Sequence, residues 1–181
     1  MLNTYSPEFG ISLGKKILAW CEHSSIVPDP VEDAPSTYQE LRQWWCTAAG
    51  ASRFRVFSGN SDTSIYGSPE ANYAFRAMHD YLHLVYRYEF DLLGELKTAL
   101  KQEARLGCLS AEEQLVFRVD TIGQSLYHFL SGGGYVEDQR GFCAWVYREV
   151  QFLKANRDPA LGENDMQHLQ NAVFSYYRAH Q

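Results

Sequence analysis

Residues 68–88, SPEANYAFRAMHDYLHLVYRY, decide the fold. Ser68 is a residue type that caps a helix, and Pro69 directly after it suits the first helical position, where its missing N–H goes unneeded. This pair predicts a helix over about 68–88. Downstream the pattern repeats. A second helix is expected over about 91–106, ended by Gly107. Ser110 opens a third, with Glu113 at capping-box spacing. It should run to about residue 130 and stop at SGGG, 131–134. Two more are expected over about 138–156 and 164–179.

Upstream, SGNSDTSIYGS (58–68) is rich in turn formers and reads as a loop. RFRVF (53–57) alternates charged and apolar residues and is the one strand-like run. TYQELRQWWCTAA (37–49) reads as a helix stopped by Gly50. VPDPVEDAPS (27–36) holds three of the six prolines and reads as a linker, because proline removes donors and restricts its predecessor. A short helix is expected over 12–23. The result is a mainly α protein, a single compact domain of about six to seven helices with at most a short strand or hairpin. Within it, 1–26 form an N-terminal helix, 27–36 the Pro-rich linker and 37–181 the helical core.

Composition agrees. The 181 residues suit one domain, and 45% apolar with 14% aromatic residues supply a large core. A net charge of −6 argues against general duplex DNA binding, which relies on Lys and Arg against phosphates. No apolar run approaches the ~20 residues of a membrane span. Glu8 precedes Lys15 and Lys16 with no apolar segment after them, so no signal peptide is expected. Cys21, Cys46, Cys108 and Cys143 are scattered without a C-x-x-C pair. Four free, mostly buried thiols and a cytoplasmic location are expected.

The densest polar cluster is Arg76-Ala77-Met78-His79-Asp80-Tyr81-Leu82-His83. His79 and His83 share one helical face a turn apart, a spacing that lets two imidazoles bind one metal ion. Asp80 could be a ligand or orient an imidazole. A lone His-x-x-x-His is more often a solvated or hydrogen-bonded face. Two further features weigh against that bland reading. Gly94 permits close backbone approach, and Glu95 beside it could face the histidines; otherwise it is a first-turn glutamate. Asp120, Gln124 and His128 form a polar stripe in an otherwise apolar helix, and buried polar groups must be paired. The stripes either share a site or form a structural hydrogen-bond network. Trp44-Trp45 and Tyr81, Tyr86, Tyr88 and Phe90 could stack on bases, although core packing is the commoner use. His168 and His180 are expected at the surface. The Ser131–Gly134 run either covers a site or merely ends a helix.

Four segments together resemble an uncharacterised domain of bacteriophage and mobile-element proteins, including large polyvalent phage proteins. They are Phe75-Arg76-Ala77-Met78-His79-Asp80 with His83; Phe90 with Gly94-Glu95; Asp120-Thr121-Ile122-Gly123-Gln124; and Gly134-Tyr135 with Asp138-Gln139. Many members read H-D-x-x-G-H where this chain reads H-D-x-x-H, and Asp120 stands where many carry Glu. The resemblance implies a phage origin and a shared polar site, without a substrate. His79-Asp80 also resembles the ligand pair of HD-type metal phosphohydrolases, which would make His23 the upstream ligand and Asp120 or Asp138 the downstream one.

These readings lead to a metal-dependent enzyme, a hydrolase acting on a phosphoester or nucleotide. His79, Asp80, His83 and Glu95 would hold or orient a divalent Mn, Fe, Zn or Co. Asp120 would be a further ligand or general base, Gln124 would position water or substrate, and Arg76 would steady negative charge. The rival is a non-enzymatic phage protein that binds a host protein or a signalling nucleotide. A homodimer through the aromatic-rich last helix is a further expectation.

Overall fold

The computed structural model describes residues 4–48, 53–156 and 164–181. Helix α1 (Pro7–His23) starts on Ser6, whose hydroxyl accepts the Glu8 N–H. It begins five residues before the expected helix because this cap and Pro7 open it earlier. Strand β1 (Val27–Val31), helix α2 (Tyr38–Thr47) and strand β2 (Arg53–Phe57) follow. Thr37 and Glu40 cap α2 reciprocally; Gly50, its expected stop, lies outside the described residues.

The linker expectation fails over 27–31, and RFRVF is not the sole strand. Val27–Val31 pairs in parallel with β2, from Val27 opposite Arg53 to Val31 opposite Phe57. Pro28 and Pro30 fall on alternate positions of an edge strand, so their donor-less nitrogens face away from β2. The Val31 carbonyl points the other way and accepts the Ser58 N–H at 2.9 Å. Phe54 and Val56 turn into the core, and Trp44 and Trp45 pack on Phe54. The tryptophans are core-packing residues in this respect.

Helix α3 (Pro69–Tyr86) is capped by Ser68, as expected, and ends two residues earlier than expected. Arg87 adopts the left-handed conformation, and the Tyr88 N–H returns to the His83 carbonyl. Helix α4 (Leu92–Arg105) follows, capped by Asp91. The expected third helix is one rod with an interruption: α5 (Ala111–Arg118), a π-helical turn (Val119–Gly123) and α6 (Gln124–Leu130). Its Ser110/Glu113 capping box is formed, and Glu113 also accepts the Ser12 hydroxyl at 2.6 Å. Ser131–Gly134 ends α6: Gly132 and Gly133 have positive φ, and the Ser131 hydroxyl accepts the Gly134 N–H. Helices α7 (Gln139–Ala155) and α8 (Asp165–Ala179) complete the fold, joined at Lys154–Asp165, 3.0 Å. Counting α5–π–α6 as one, the described residues form seven helices and one small parallel sheet.

The core draws its buried side chains from α1, β2, α3, α4, α5, the π turn, α7 and α8. Leu13 and Ile17 of α1 meet the small face of α3, Ala71, Ala74 and Ala77. Phe117 and Ile122 lie across from Phe142, Val146 and Tyr147 of α7, and from Leu169 and Val173 of α8. His168 is fully buried, against expectation, because it shares the inward stripe of α8 with Leu169 and Ala172. His180 is exposed, as expected. The aromatic rings of α8 are largely used within the chain, Tyr176 against Phe142 and Trp145, Tyr177 against Tyr127. Of the cysteines, Cys21 and Cys143 are buried while Cys46 and Cys108 are exposed, so the expected burial holds for half of them. No helix of the described residues is long and apolar enough to cross a membrane.

Candidate metal centre

His79 and His83 project from successive turns of α3 toward the first turn of α4, which carries Glu95. Gly94 makes that approach possible. Its N–H is bound by Asp91 Oδ1 at 2.7 Å, and a Cβ there would run into the Glu89 carbonyl. The chain entering α4 therefore folds tightly under α3 and brings Glu95 to both imidazoles.

The outer nitrogens of the two rings are held by different devices. His83 Nδ1 lies 2.8 Å from the Tyr88 carbonyl, which can only accept, so that nitrogen carries the proton. His79 Nδ1 lies 2.9 Å from Gln102 Oε1. The Gln102 amide is oriented in turn, since its Nε2 donates to the Phe75 carbonyl. His79 Nδ1 is thus also a donor. Both Nε2 atoms then point inward, 2.9 Å apart. Glu95 closes the triangle, with Oε2 3.0 Å from His79 Nε2 and Oε1 3.5 Å from His83 Nε2.

Two imidazole lone pairs cannot face one another at that distance without a cation between them. A proton is one solution. Burial would pull the His79 pKa down, but the Glu95 carboxylate outweighs it and lifts the group to about 9. Burial would raise Glu95, yet His79 and His83 hold it well below the usual carboxylate range. His83 is lowered by burial and by the His79 charge. A metal ion is the other solution. Two metal–nitrogen bonds of about 2.0–2.1 Å, at angles between square and tetrahedral, separate their nitrogens by roughly 2.9–3.4 Å. The observed spacing falls at the short end of that range. Imidazoles whose far nitrogens donate to a carbonyl and an amide are also the usual environment of ligating histidines. Among the described residues, His79, His83 and Glu95 are the one group of three or more His, Cys, Asp or Glu side chains close enough to share an ion.

The other expected site residues fall outside this triangle. Asp80 is adjacent but not in ligand reach. Burial raises it to about 7, with the His79 charge opposing and Glu95 adding to the shift. Asp120 lies on the π turn with both oxygens engaged, Oδ2 by the Tyr66 hydroxyl and Oδ1 by the Gln124 amide, each at 2.7 Å. Burial raises it to about 6 against those two hydrogen bonds. The Asp120–Gln124 pair is therefore a neighbouring network, not part of the ligand set. It connects to the triangle through rings, with Tyr66 stacked on Phe75 and Phe75 next to His79. His128 leaves the stripe and stacks on Tyr135 at 4.3 Å. Arg76 Nη1 donates to the Phe57 and Gly59 carbonyls and its guanidinium lies over the Phe57 ring, a clamp on the end of β2. Its charge still sits among Asp80, Asp120 and Tyr135.

The HD-type arrangement is not assembled. His23 ends α1 in solvent, and Asp138 caps α7 through the Gly141 N–H. Neither joins the cluster.

Sequence reasoning missed three groups. Gln102 stands seven residues after Glu95 on the same face of α4, a spacing that would have found it. Tyr66 comes from a loop with no periodicity to read. The Tyr88 carbonyl is backbone and leaves no mark in the sequence. Compared with protein-family models, curated proteins and solved structures, the chain matches none.

Proposed function

We propose that this chain is a divalent-metal-dependent hydrolase acting on a phosphoester or nucleotide, with His79, His83 and Glu95 as the protein ligands. The observation that carries the reading is the convergence of two Nε2 atoms and a carboxylate, with both Nδ1 positions committed elsewhere. Two imidazoles and one carboxylate leave coordination positions for water and substrate and suit Mn, Fe, Zn or Co. An ion so placed would lower the pKa of bound water and polarise a phosphoryl oxygen. Arg76 would add positive charge beside the ion, and Asp80 a second carboxylate. Asp120 and Gln124, fully engaged with each other and Tyr66, would position the α3 face from behind. The phage-domain resemblance supports a phage origin and a cytoplasmic site of action in the host.

One observation favours the rival reading, a phage protein that binds a host protein or a nucleotide without turning it over. His79 and Glu95 already neutralise one another as an ion pair. Metal content separates the two. Untagged protein prepared without chelator should hold close to one equivalent of metal by plasma mass spectrometry, and His79→Ala should hold none while keeping its helical circular dichroism. A metal-free wild type that also refuses reloading with Mn, Fe, Zn and Co would transfer the case to the binding protein.

A further inference from the structure

A groove of about 420 Å³ lies between α2 and the C-terminal end of α3. That size suits a small organic ligand. Its walls follow from helix periodicity. Tyr38, Arg42 and Trp45 stand at four- and three-residue steps on one face of α2, and Leu84 and Arg87 face them from α3 and its cap. Trp45 is half-buried, with its indole against Phe54.

The groove is positively charged in a chain of net charge −6. Arg42 and Arg87 outnumber its single acid, Glu89. Among the described residues neither arginine is neutralised by a carboxylate, although Arg42 rests over the Tyr38 ring, 5.8 Å from its centre. Elsewhere Arg55 and Arg118 are paired with Asp33 and Glu103. Arg87 also occupies the left-handed cap at φ 56°, a position where Gly or Asn is the low-cost choice. A long cation stands where the backbone favours a small residue.

We propose that this groove binds a small planar anion, an aromatic ring carrying a phosphate or carboxylate, of which a nucleoside monophosphate is the type. The ring would lie against Trp45 and Leu84, and the anion would be taken by the two guanidinium groups. The site is separate from the metal centre, with Phe90 between them. Tyr38 touches Phe90, Phe90 sits edge-on to His83 at 4.7 Å, and the 88–90 segment supplies the carbonyl that orients His83.

The test is a titration of the whole protein with AMP in EDTA, followed by tryptophan fluorescence and calorimetry. Adenosine and inorganic phosphate are run alongside. Saturable binding with a Kd of about 1 mM or tighter is expected. It should weaken about tenfold or more in Arg42→Gln/Arg87→Asn, in which Asn preserves the left-handed cap. Trp45→Phe should lose the fluorescence change, and His79→Ala should bind AMP as the wild type does. Adenosine and phosphate should each bind about tenfold more weakly than AMP. If the double variant fails to fold, Arg42→Gln alone, at an exposed helix position, should still weaken binding. Absence of saturation, unchanged affinity in the arginine variants, or equal binding of adenosine, overturns the proposal. So does equal binding of phosphate, which would mean a bare anion site. Loss of AMP binding in His79→Ala would place the ligand at the triad and overturn it as well.

Discussion

Asp120 is a carboxylate with both oxygens already taken and almost no exposure. Burial raises its folded pKa to about 6, above the ordinary value near 3.8. A carboxyl shifted upward costs stability that is fully present above the folded pKa and disappears below the unfolded one. Asp120→Asn removes the buried charge and keeps the shape, and the Tyr66 hydroxyl can turn to accept from the new amide. We expect it to be at least as stable as the wild type at pH 7 and to erase the pH dependence this group contributes between about 4 and 6. Asp120→Ala instead strands the Tyr66 hydroxyl and the Gln124 amide in the core and should cost roughly 2–4 kcal/mol. Urea denaturation of both variants across that pH range decides the matter; equal losses would refute the network. The polar stripe that carries Asp120 and Gln124 was legible in the sequence, because two polar residues in an apolar helix must find partners. Their partner Tyr66 was not, because no spacing links a loop to a helix 54 residues away.

At the scale of elements, the helices were readable wherever a cap marks them: Ser68 before α3, Ser110 and Glu113 on α5, Gly107 after α4. Two features were not. Prolines hid β1, since their cost depends on which edge of a strand faces a partner, and that is settled only when β2 arrives. The π turn at Val119–Gly123 leaves no trace in residue type. Gly94 was readable as a close-approach glycine; the atom it approaches, the backbone carbonyl of Glu89, was not. That contact supports a prediction about the α3–α4 junction. Gly94→Ala forces its new methyl into a backbone atom that cannot rotate away, which should cost about 1–3 kcal/mol. The displaced segment includes Tyr88, which holds His83. Metal affinity should therefore fall together with thermal stability, measured by competitive chelation and calorimetry. An alanine variant that is destabilised but binds metal unchanged would show that the turn and the centre are independent.

For the molecule as a whole, the centre is a clip between α3 and α4, the two helices that link the sheet side of the core to the α5–π–α6 rod. Anything bound there and absent from the unfolded chain stabilises the entire fold. At about 100 times its Kd, a metal should add roughly 2.7 kcal/mol. For a domain of this size that is a rise in Tm of about 5–11 °C. The sign of its pH dependence follows from His79. In the metal-free protein its pKa is lifted to about 9, above the ordinary 6.5. Its proton therefore stabilises the fold fully below about 6.5, and that contribution is lost as pH rises through about 9. Metal and proton compete for the same Nε2 atoms, so the metal-induced rise in Tm should grow between pH 7 and 9. It should be reversed by chelator. Glu95→Gln, which removes the charge that both cations need, should abolish the rise and the alkaline loss together. A wild-type Tm unmoved by Mn, Fe, Zn and Co across that range would mean that the triangle is built for the proton alone. The histidines would then be a structural ion pair, and the search for function would move to the groove beside Trp45.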